Sequence, residues 1–288
     1  MQGLTTLEEH ACFGGVQGFY EHASDTVGLP MRFGVYLPPQ AAQQPVPVLY
    51  YLAGLTCNEQ TFAIKAGAQQ HAARLGIALV TPDTSPRNTG VPQADADWDF
   101  GHGAGFYLDA THPPYATHWR MESWITRELP QVLARHFAVD VAREGICGHS
   151  MGGHGALVLA LRHPGRFRSV SAFAPICAPG EVPWGHKAFG GYLGEDCGAW
   201  AAHDAVRLIE GGARLPPLLV DQGLADPFLE TQLRPERLEQ ACAAAGQPLA
   251  LRRHARYDHG YFFVASFVAG HLEHHAQALL GGSPGAGA

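Results

Sequence analysis

A chain of 288 residues, 46% of them hydrophobic and 16% charged, has the composition of a globular protein rather than a disordered one. Its 19 basic and 26 acidic residues leave a formal charge of −7, and the basic residues form no clusters, so nucleic acid and anionic membranes are poor electrostatic partners. No apolar run reaches the roughly 18 residues of a membrane-spanning helix, and the first residues lack the pattern of a secretion signal. We therefore expect a cytoplasmic protein with no nucleic-acid or membrane partner.

The cysteines are spread along the chain without a C-x-x-C pair. This spacing disfavours a zinc ribbon and a disulfide framework, and in a reducing compartment most of these residues should be free thiols. The six are Cys12, Cys57, Cys147, Cys177, Cys197 and Cys242.

Apolar runs alternate with helical patterns along most of the chain. The runs predict strands at 19–22, 31–37, 46–53, 76–81, 144–147, 169–173, 217–221 and 249–254. The periodicity predicts helices at 62–75, 119–137 with a kink at Pro130, 151–162, 235–245 and 261–280. This alternation favours a mostly parallel central sheet flanked by helices on both faces, in one α/β domain over residues 1–280.

Two segments fall outside the alternation. Residues 82–118 are rich in Gly, Pro and Asp with little periodicity, and an irregular segment of this length is usually functional. Residues 281–288 (GGSPGAGA) form a Gly/Pro/Ala tail with nothing to bury, which we expect to be disordered.

The pentapeptide at 148–152 (GHSMG) has the spacing of a nucleophile motif. A sharp strand-to-helix turn would expose the hydroxyl of Ser150, and glycines on either side would let the backbone pass close to itself. An apolar strand precedes Ser150 and an apolar-periodic helix follows it. The same pattern at 281–285 lacks a helix, and Pro284 removes an amide where an oxyanion would need one. Ser150 is therefore the predicted nucleophile.

The acid and the base that complete a catalytic triad should follow the nucleophile in that order, in loops after later strands. For the acid we favour Asp226, beyond the turn after the strand at 217–221, over Asp221 at the strand end. Asp226 also fits a helix N-cap before a proline. For the base we favour His259, between the last strand and the last helix, because His254 lies inside the strand and His271 inside the helix.

An oxyanion hole needs two backbone N–H groups. One should come from Met151, the residue after the nucleophile, and the other from Leu55, in the loop after an early strand. A second loop, 102–105 (HGAG), is similar to an oxyanion loop of some lipases, but it lies later in the chain than such a loop should.

Three histidines near the end of the last predicted helix have a spacing that could present them on one face to a metal ion. They are His271, His274 and His275, but the sequence lacks the HExxH pattern in which a glutamate acts as general base. We interpret them as the solvated end of the helix, where histidine suits the helix dipole. No metal site is therefore predicted.

Nine segments in order, spanning almost the whole chain, make this sequence resemble the S-formylglutathione hydrolase (esterase D) family. They are 52–57 (LAGLTC), 82–87 (PDTSPR), 98–100 (WDF), 103–111 (GAGFYLDAT), 148–157 (GHSMGGHGAL), 169–177 (SVSAFAPIC), 183–193 (PWGHKAFGGYL), 221–223 (DQG) and 257–259 (YDH). Two positions depart from the family: Ala53 stands where Ser is usual, and Gly260 where Ser is common.

The resemblance implies an α/β-hydrolase fold and hydrolysis of the thioester S-formylglutathione to formate and glutathione in formaldehyde detoxification, with side activity on short-acyl esters. It implies a triad of Ser150, Asp226 and His259, no cofactor, a cytoplasmic location and a homodimer. It also implies that Cys57 lies near the active site, which makes it a candidate substrate-binding residue. We hypothesise that oxidation of Cys57, or its disulfide formation with glutathione, blocks the entrance; the alternative is an inert thiol. Trp184 and Lys187 are further candidate substrate-binding residues; Lys187 could bind a glutathione carboxylate, but we favour a solvated surface lysine.

Two other functions fit the same sequence. One is a broader carboxylesterase or acyl-transfer enzyme of the mycolyltransferase-like branch, and the other is a binding protein on a hydrolase fold without activity. The presence of Ser, Asp and His at all three expected positions argues against the second.

Overall fold

Nine strands form one sheet in the computed structural model, which describes residues 3–281. The strands are β1 Leu4–Cys12, β2 Gly15–Ala23, β3 Pro30–Leu37, β4 Val46–Leu52, β5 Ala78–Pro82, β6 Val139–His149, β7 Phe167–Phe173, β8 Leu218–Gly223 and β9 Leu249–His254. Their order across the sheet is β1-β2-β3-β5-β4-β6-β7-β8-β9.

The sheet is antiparallel at one side and parallel over the rest. The pairs β1–β2, β2–β3 and β3–β5 are antiparallel, and every pair from β5–β4 through to β8–β9 is parallel. The strands β4 and β5 are buried along their whole length, as parallel strands between helix layers must be. The predicted α/β fold with a mostly parallel sheet is confirmed.

Ten helices in residues 3–281 surround the sheet. They are α1 Thr61–Lys65, α2 Ala68–Leu75, α3 Met121–Ser123, α4 Leu129–His136, α5 Met151–Arg162, α6 Pro183–Leu193, α7 Cys197–Trp200, α8 Ala205–Glu210, α9 Pro235–Ala245 and α10 Tyr261–Leu280. Helix α5 packs on β6 and β7. Helix α10 packs on the same two strands and on α2. None of the helices in this range is long and apolar enough to cross a bilayer.

Several predicted elements differ from the observed ones for local reasons. The single helix predicted at 62–75 is two helices, because Gly67 adopts a left-handed conformation with φ of 64° between α1 and α2. The helix predicted at 119–137 is α3 and α4 joined by a π-helical turn, Trp124–Glu128. Pro130, where a kink was predicted, lies in the first turn of α4, and because it lacks an N–H the Thr126 carbonyl four residues earlier accepts from Arg166 Nη1 instead, at 2.7 Å. Of the predicted tail at 281–288, residues 282–288 lie outside the described residues.

Strand β1 and helices α6, α7 and α8 have no counterpart in the sequence-based prediction. Strand β1 is exposed along nearly its whole length, so its sequence shows no alternation of apolar and polar residues. It is the edge strand, and it is joined to the sheet through β2 alone.

His271 and His275 of α10 are buried against the sheet and His274 is partly buried, so their interpretation as a solvated helix end was wrong. His275 is hydrogen-bonded to Ser169 Oγ at 2.6 Å and to Ser171 Oγ at 2.8 Å. His271 is hydrogen-bonded to Ser171 Oγ at 2.8 Å and to Asp221 Oδ2 at 3.1 Å. We call these five residues the α10 polar network; it ties the last helix to β7 and β8.

Burial sets the charge state of the α10 polar network. Burial lowers the pKa of His271 to about 4, although Asp221 acts in the opposite direction, and lowers the pKa of His275 well below its ordinary value. Burial alone would raise the pKa of Asp221, but hydrogen bonds from His271 and Arg252 outweigh it and lower the pKa. At neutral pH the histidines are therefore neutral and the carboxylate is charged.

These pKa shifts predict acid lability. An unfolded histidine titrates near pH 6.5, so the unfolded chain takes up protons that the buried imidazoles refuse, and stability present above pH 6.5 is lost as the pH falls towards 4. The free energy of unfolding should fall by about 1.4 kcal/mol per pH unit for each such proton. Urea denaturation at several pH values between 7.5 and 4.5 measures this slope.

A matched pair of variants assigns the slope to the network. His271→Gln should flatten it by about one proton, whereas His10→Gln, which removes an exposed imidazole on β1, should leave it unchanged. Equal slopes in all three proteins would contradict the prediction.

Candidate active site

Ser150 lies at a sharp corner between β6 and α5. Its backbone has φ of 60° and ψ of −121°, a combination that costs a non-glycine residue roughly 1–3 kcal/mol. The Ser150 N–H donates to the carbonyl of Phe173 at the end of β7 (2.9 Å), and the Ser150 carbonyl accepts from His154 in α5 (3.0 Å). The strained turn is thus held from both sides, as the motif at 148–152 predicts.

The glycines of the motif are required by close backbone contacts. A Cβ on Gly148 would lie 2.0 Å from the Gly152 carbonyl oxygen, and a Cβ on Gly152 would lie 1.9 Å from the Leu52 carbonyl oxygen. Both distances are far inside van der Waals contact, and both obstacles are backbone atoms that cannot rotate away. A Cβ on Gly54 would lie 3.1 Å from Ser150 Cβ, so the loop after β4 packs directly against the serine.

Asp226 and His259 form a hydrogen-bonded pair. His259 Nδ1 donates to Asp226 Oδ2 at 2.5 Å, and the Asp226 side chain is fully buried. The other carboxylate oxygen, Oδ1, accepts from the Phe228 N–H at 2.8 Å, so Asp226 also fixes the turn that follows it. With Nδ1 occupied, the free nitrogen of the imidazole is Nε2, the one that a general base would use.

The two loops that carry this pair are bonded to each other. The Leu224 N–H donates to the His254 carbonyl, and the Ala225 N–H donates to the Tyr257 carbonyl, both at 2.9 Å. A Cβ on Gly223 would lie 2.4 Å from the Tyr257 carbonyl oxygen, so only glycine permits this approach. The contact at Gly223 therefore brings the loop after β9 close enough for His259 to reach Asp226.

His259 lies beside the Ser150 corner. Its ring centroid is 4.5 Å from that of His149, the residue before the serine, and 5.1 Å from that of Phe228. Within residues 3–281, no hydrogen bond joins the Ser150 hydroxyl to His259 in this structure. Such bonds in hydrolases are often long without substrate and tighten when it binds.

Asp221 and His254, the alternatives to this pair, are engaged elsewhere. Arg252 donates to both oxygens of Asp221, at 2.5 and 2.6 Å, and His271 Nε2 lies 3.1 Å from the same carboxylate. His254 stacks on Phe267, with ring centroids 3.7 Å apart. Neither residue is bonded to His259, so the carboxylate that orients the imidazole is Asp226.

The amides of Met151 and Leu55 are available to an oxyanion. Met151 is the first residue of α5, and the first amides of a helix have no partner inside it. The Leu55 N–H has no backbone partner in the described part of the chain. Its loop is anchored on either side, because the Thr56 N–H donates to the Gly103 carbonyl (2.9 Å) and the Tyr107 hydroxyl donates to the Ala53 carbonyl (2.7 Å).

The HGAG segment supports the Leu55 loop. The Gly103 N–H donates to Ser85 Oγ at 2.8 Å and the Gly105 N–H to the Thr84 carbonyl at 3.1 Å, so neither amide is free for an oxyanion. The Cys57 carbonyl accepts from Thr84 Oγ1 at 2.6 Å and from Arg87 Nη2 at 3.0 Å. The irregular segment 82–118 thus holds the loop that carries Leu55.

The three candidate substrate-binding residues differ in position. Trp184 is buried against Phe228, with ring centroids 4.8 Å apart, and Phe228 in turn packs on His259. Lys187 Nζ lies 2.5 Å from Asp99 Oδ1 and 3.0 Å from Asp97 Oδ2, so the chain's own carboxylates already neutralise it. Cys57 is half-buried, and burial raises the pKa of its thiol, which makes the reactive thiolate scarce at neutral pH.

Sequence reasoning missed two side chains that contact the predicted base. His149 is 5% exposed and neither ring nitrogen has a hydrogen-bond partner within the described residues, while burial lowers the pKa of the ring well below its ordinary value. Phe228 packs its ring edge-on against His259. The sequence offered one indication of these contacts, which is position: His149 lies inside the nucleophile motif, and Phe228 lies two residues after Asp226.

A serine on a strained strand–helix corner of a mostly parallel sheet, beside a histidine–aspartate pair, defines a serine hydrolase with the α/β-hydrolase fold. The family model described as "Putative esterase" matches residues 24–274. The S-formylglutathione hydrolase of Rattus norvegicus is 48% identical over 279 residues, 96% of this chain and 99% of the relative. That of Paracoccus denitrificans is 50% identical over 274 residues, 95% of this chain and 98% of the relative.

A solved S-formylglutathione hydrolase structure from Agrobacterium tumefaciens superposes with a TM-score of 0.94 at 47% identity, covering 96% of this chain and 99% of that one. The chain belongs to the S-formylglutathione hydrolase family of esterases. The fold and the family that the sequence predicted are confirmed.

The crowding around Gly152 predicts that it tolerates no side chain. Gly152→Ala should displace the loop after β4 from Ser150 and abolish esterase activity, because the new Cβ would meet the Leu52 carbonyl oxygen. Hydrolysis of p-nitrophenyl acetate and thermal melting measure the effect.

Gly190→Ala is the matched control, since Gly190 is also helical and a Cβ there would meet nothing within 4 Å. It should keep full activity and gain up to about 1 kcal/mol of stability, because alanine is the better helix former. A fully active Gly152→Ala protein would show that the corner is not as tight as described.

Proposed function

We propose that this protein hydrolyses S-formylglutathione to formate and glutathione, with Ser150 as nucleophile, His259 as general base and acid, and Asp226 as the residue that orients His259. The similarity to known enzymes and the geometry of the site together support the proposal. A chain about half identical to S-formylglutathione hydrolases over nearly its whole length has a strained serine corner beside an Asp226–His259 pair bonded at 2.5 Å.

In the first half-reaction the Ser150 oxygen attacks the formyl carbon while His259 Nε2 takes the hydroxyl proton. The negative charge that develops on the formyl oxygen is stabilised by the N–H groups of Leu55 and Met151. The carbon–sulfur bond then breaks, and His259 returns the proton to the sulfur, which leaves as the thiol of glutathione. The formyl group remains as an ester on Ser150.

In the second half-reaction a water molecule attacks the formyl ester. His259 takes one proton from the water, the same two amides stabilise the oxyanion, and the proton passes to Ser150 Oγ as the ester bond breaks. Formic acid leaves and ionises to formate, releasing the second proton of the water to solvent, and the serine is restored. Asp226 keeps Nδ1 of His259 protonated through both halves, so that Nε2 is always the nitrogen that faces the reaction.

Trp184 and Phe228 form one wall of the proposed site. Phe228 packs on His259, and Trp184 packs on Phe228. A short-acyl ester needs only this wall and the triad, so side activity on such esters belongs to the same proposal. Control of the site by oxidation of Cys57 is a further part of it.

The wider setting follows from the substrate. A glutathione thioester of formate arises from formaldehyde, so we place the protein in formaldehyde detoxification in the cytoplasm, acting as a homodimer. We also treat residues 1–280 as one domain, and the single nine-stranded sheet supports this view.

Substrate preference is the direct test. Purified protein should turn over freshly prepared S-formylglutathione with a kcat/KM well above that for any member of a panel of p-nitrophenyl esters of increasing acyl length. Ser150→Ala should reduce every rate to the residual level that binding and the oxyanion amides leave. A preference for the oxygen esters, or for long acyl chains, would instead favour a general carboxylesterase or acyltransferase.

The role of Asp226 has a separate test. Asp226→Asn should lower kcat for S-formylglutathione by roughly 10³–10⁴-fold, because the amide no longer favours the tautomer of His259 that has Nε2 free. Asp258→Asn is the matched control, an exposed carboxylate next to the histidine whose oxygen accepts from the Gly260 N–H, and should change kcat by no more than a few-fold. Equal losses in the two variants would exclude the orienting role.

A further inference from the structure

A charged cleft of about 540 Å³ lies beside the Leu55 loop, at the ends of β3 and β5. Its charged and loop-derived walls include Glu21, Arg32, Thr56, Glu59, Asp83 and Arg87. Thr56 is the neighbour of Leu55, so one wall of the cleft belongs to the loop that supplies the proposed oxyanion amide. The cleft plays no part in the mechanism above.

Glu59 is the one cleft carboxylate that the protein leaves without a partner. The residue is 3% exposed, and over residues 3–281 its carboxylate forms no hydrogen bond or ion pair with another residue. Burial raises the pKa of Glu59 and the Asp83 charge adds to the rise, while a hydrogen bond from its own backbone N–H and the charges of Arg32 and Arg87 oppose it. A buried carboxylate without a bonded partner is costly, which points to a ligand that supplies the missing charge.

The other charges of the cleft are already paired. Arg87 donates to both oxygens of Asp83, at 3.0 and 2.7 Å, and also braces the Cys57 carbonyl. Arg32 Nε donates to Glu21 at 3.0 Å, which leaves the two terminal amino groups of the guanidinium without a partner among the described residues. The cleft therefore offers one unpaired anion, Glu59, and one cation with free donors, Arg32.

The distance from the cleft to Ser150 fits a tripeptide. Strands β5 and β3 are the second and third neighbours of β6, so at about 4.8 Å per strand they lie roughly 10 and 14 Å from the strand that ends at the serine. Three extended residues span up to roughly 11 Å. A thioester held at Ser150 could thus place the far end of its glutathione at the near side of this cleft.

We propose that this cleft binds the γ-glutamyl end of the glutathione moiety, with Glu59 receiving its α-ammonium group and Arg32 its α-carboxylate. The assignment rests on the proposed function, which supplies a ligand carrying one ammonium group next to one carboxylate. It matches the charges that the protein leaves free, and it places the ammonium group where a buried anion has no partner.

The first test compares two substrates in paired variants. Glu59→Gln should raise KM for S-formylglutathione by about 10-fold or more, since hydrogen bonds to charged groups are worth about 1.5–3 kcal/mol, and should change kcat by no more than twofold. Its kcat/KM for p-nitrophenyl acetate, which has no glutathione, should stay within twofold of the wild type. Arg32→Gln should behave in the same way.

Arg74 and Glu273 provide the controls, because they form an exposed ion pair at 2.8 Å and do not line the cleft. Arg74→Gln and Glu273→Gln make the same chemical changes and should leave both substrates unaffected. A loss in Glu59→Gln that is equal for both substrates would mean a structural role, and no change for either would mean that Glu59 meets no ligand. Both results would overturn the proposal.

A change in the substrate tests the same contact without a mutation. S-formyl-N-acetylglutathione has an amide in place of the ammonium group, so the wild type should show a KM about 10-fold higher for it, and Glu59→Gln should show no further loss. Equal KM values for the two thioesters in the wild type would overturn the proposal.

Calorimetry of glutathione binding distinguishes a failure of the cleft assignment from a failure of the proposed function. If the wild type cleaves p-nitrophenyl acetate but not S-formylglutathione, the proposed function fails, and binding of glutathione itself then tests the cleft. Binding to the wild type that is weakened about 10-fold or more by Glu59→Gln would support the cleft assignment alone. No binding, or equal binding to both proteins, would overturn it.

Discussion

The close backbone contacts of the turn between β6 and α5, within the turn and with the end of β4, constrain the edge of the sheet that carries Ser150. Gly148 and Gly152 approach carbonyl oxygens so closely that a methyl group at either position would overlap the backbone. Ser150 lies in its strained conformation at this turn, and the loop of Leu55 packs against it at Gly54. Ser150, the proposed nucleophile, and the proposed oxyanion amides are thus positioned by one packing constraint, in advance of any substrate.

Asp221 and Asp226 are five residues apart in the sequence but have different partners in the fold. Asp221 still lies in β8, where Arg252 and His271 bond it and the α10 polar network holds the last helix on the sheet. Asp226 lies beyond the turn at Gly223, where the loop after β9 can approach it and His259 can bond it. Asp221 is thus bonded by a guanidinium and an imidazole within the sheet and the last helix, whereas Asp226 is bonded by His259, the residue proposed as the general base.

The irregular segment 82–118 has a comparable double role. Its first residues brace the Leu55 loop through Thr84, Ser85 and Arg87, and Gly103 and Tyr107 hold the same loop from the other side. Arg87, which braces the loop, also lines the charged cleft and neutralises the charge of Asp83. Arg87 is thus engaged by Asp83, and within residues 3–281 Glu59 forms no ion pair, so the bracing of the loop and the proposed recognition of glutathione involve neighbouring charges.

Much of the fold could be predicted from local patterns. Helices α5, α9 and α10 and strand β9 have the predicted bounds, because apolar periodicity and turn residues report on secondary structure directly. Strand β1 could not be predicted because it buries almost nothing, and the break at Gly67 required a backbone angle that no periodicity reveals. The corner at Ser150 was predictable because its chemistry demands small residues at fixed spacing.

The chain by itself determined the order of its elements, the position of the serine corner, and the set of aspartates and histidines that could serve it. Only the tertiary structure decided that Asp226 rather than Asp221 bonds His259, that His271 and His275 are buried, and that Glu59 lies in a cleft without an ion-pair partner among residues 3–281. The physical reason is that periodicity is a property of neighbouring residues. Burial and charge pairing arise between segments far apart in the chain, such as the loops after β8 and β9, which meet only when the sheet is complete.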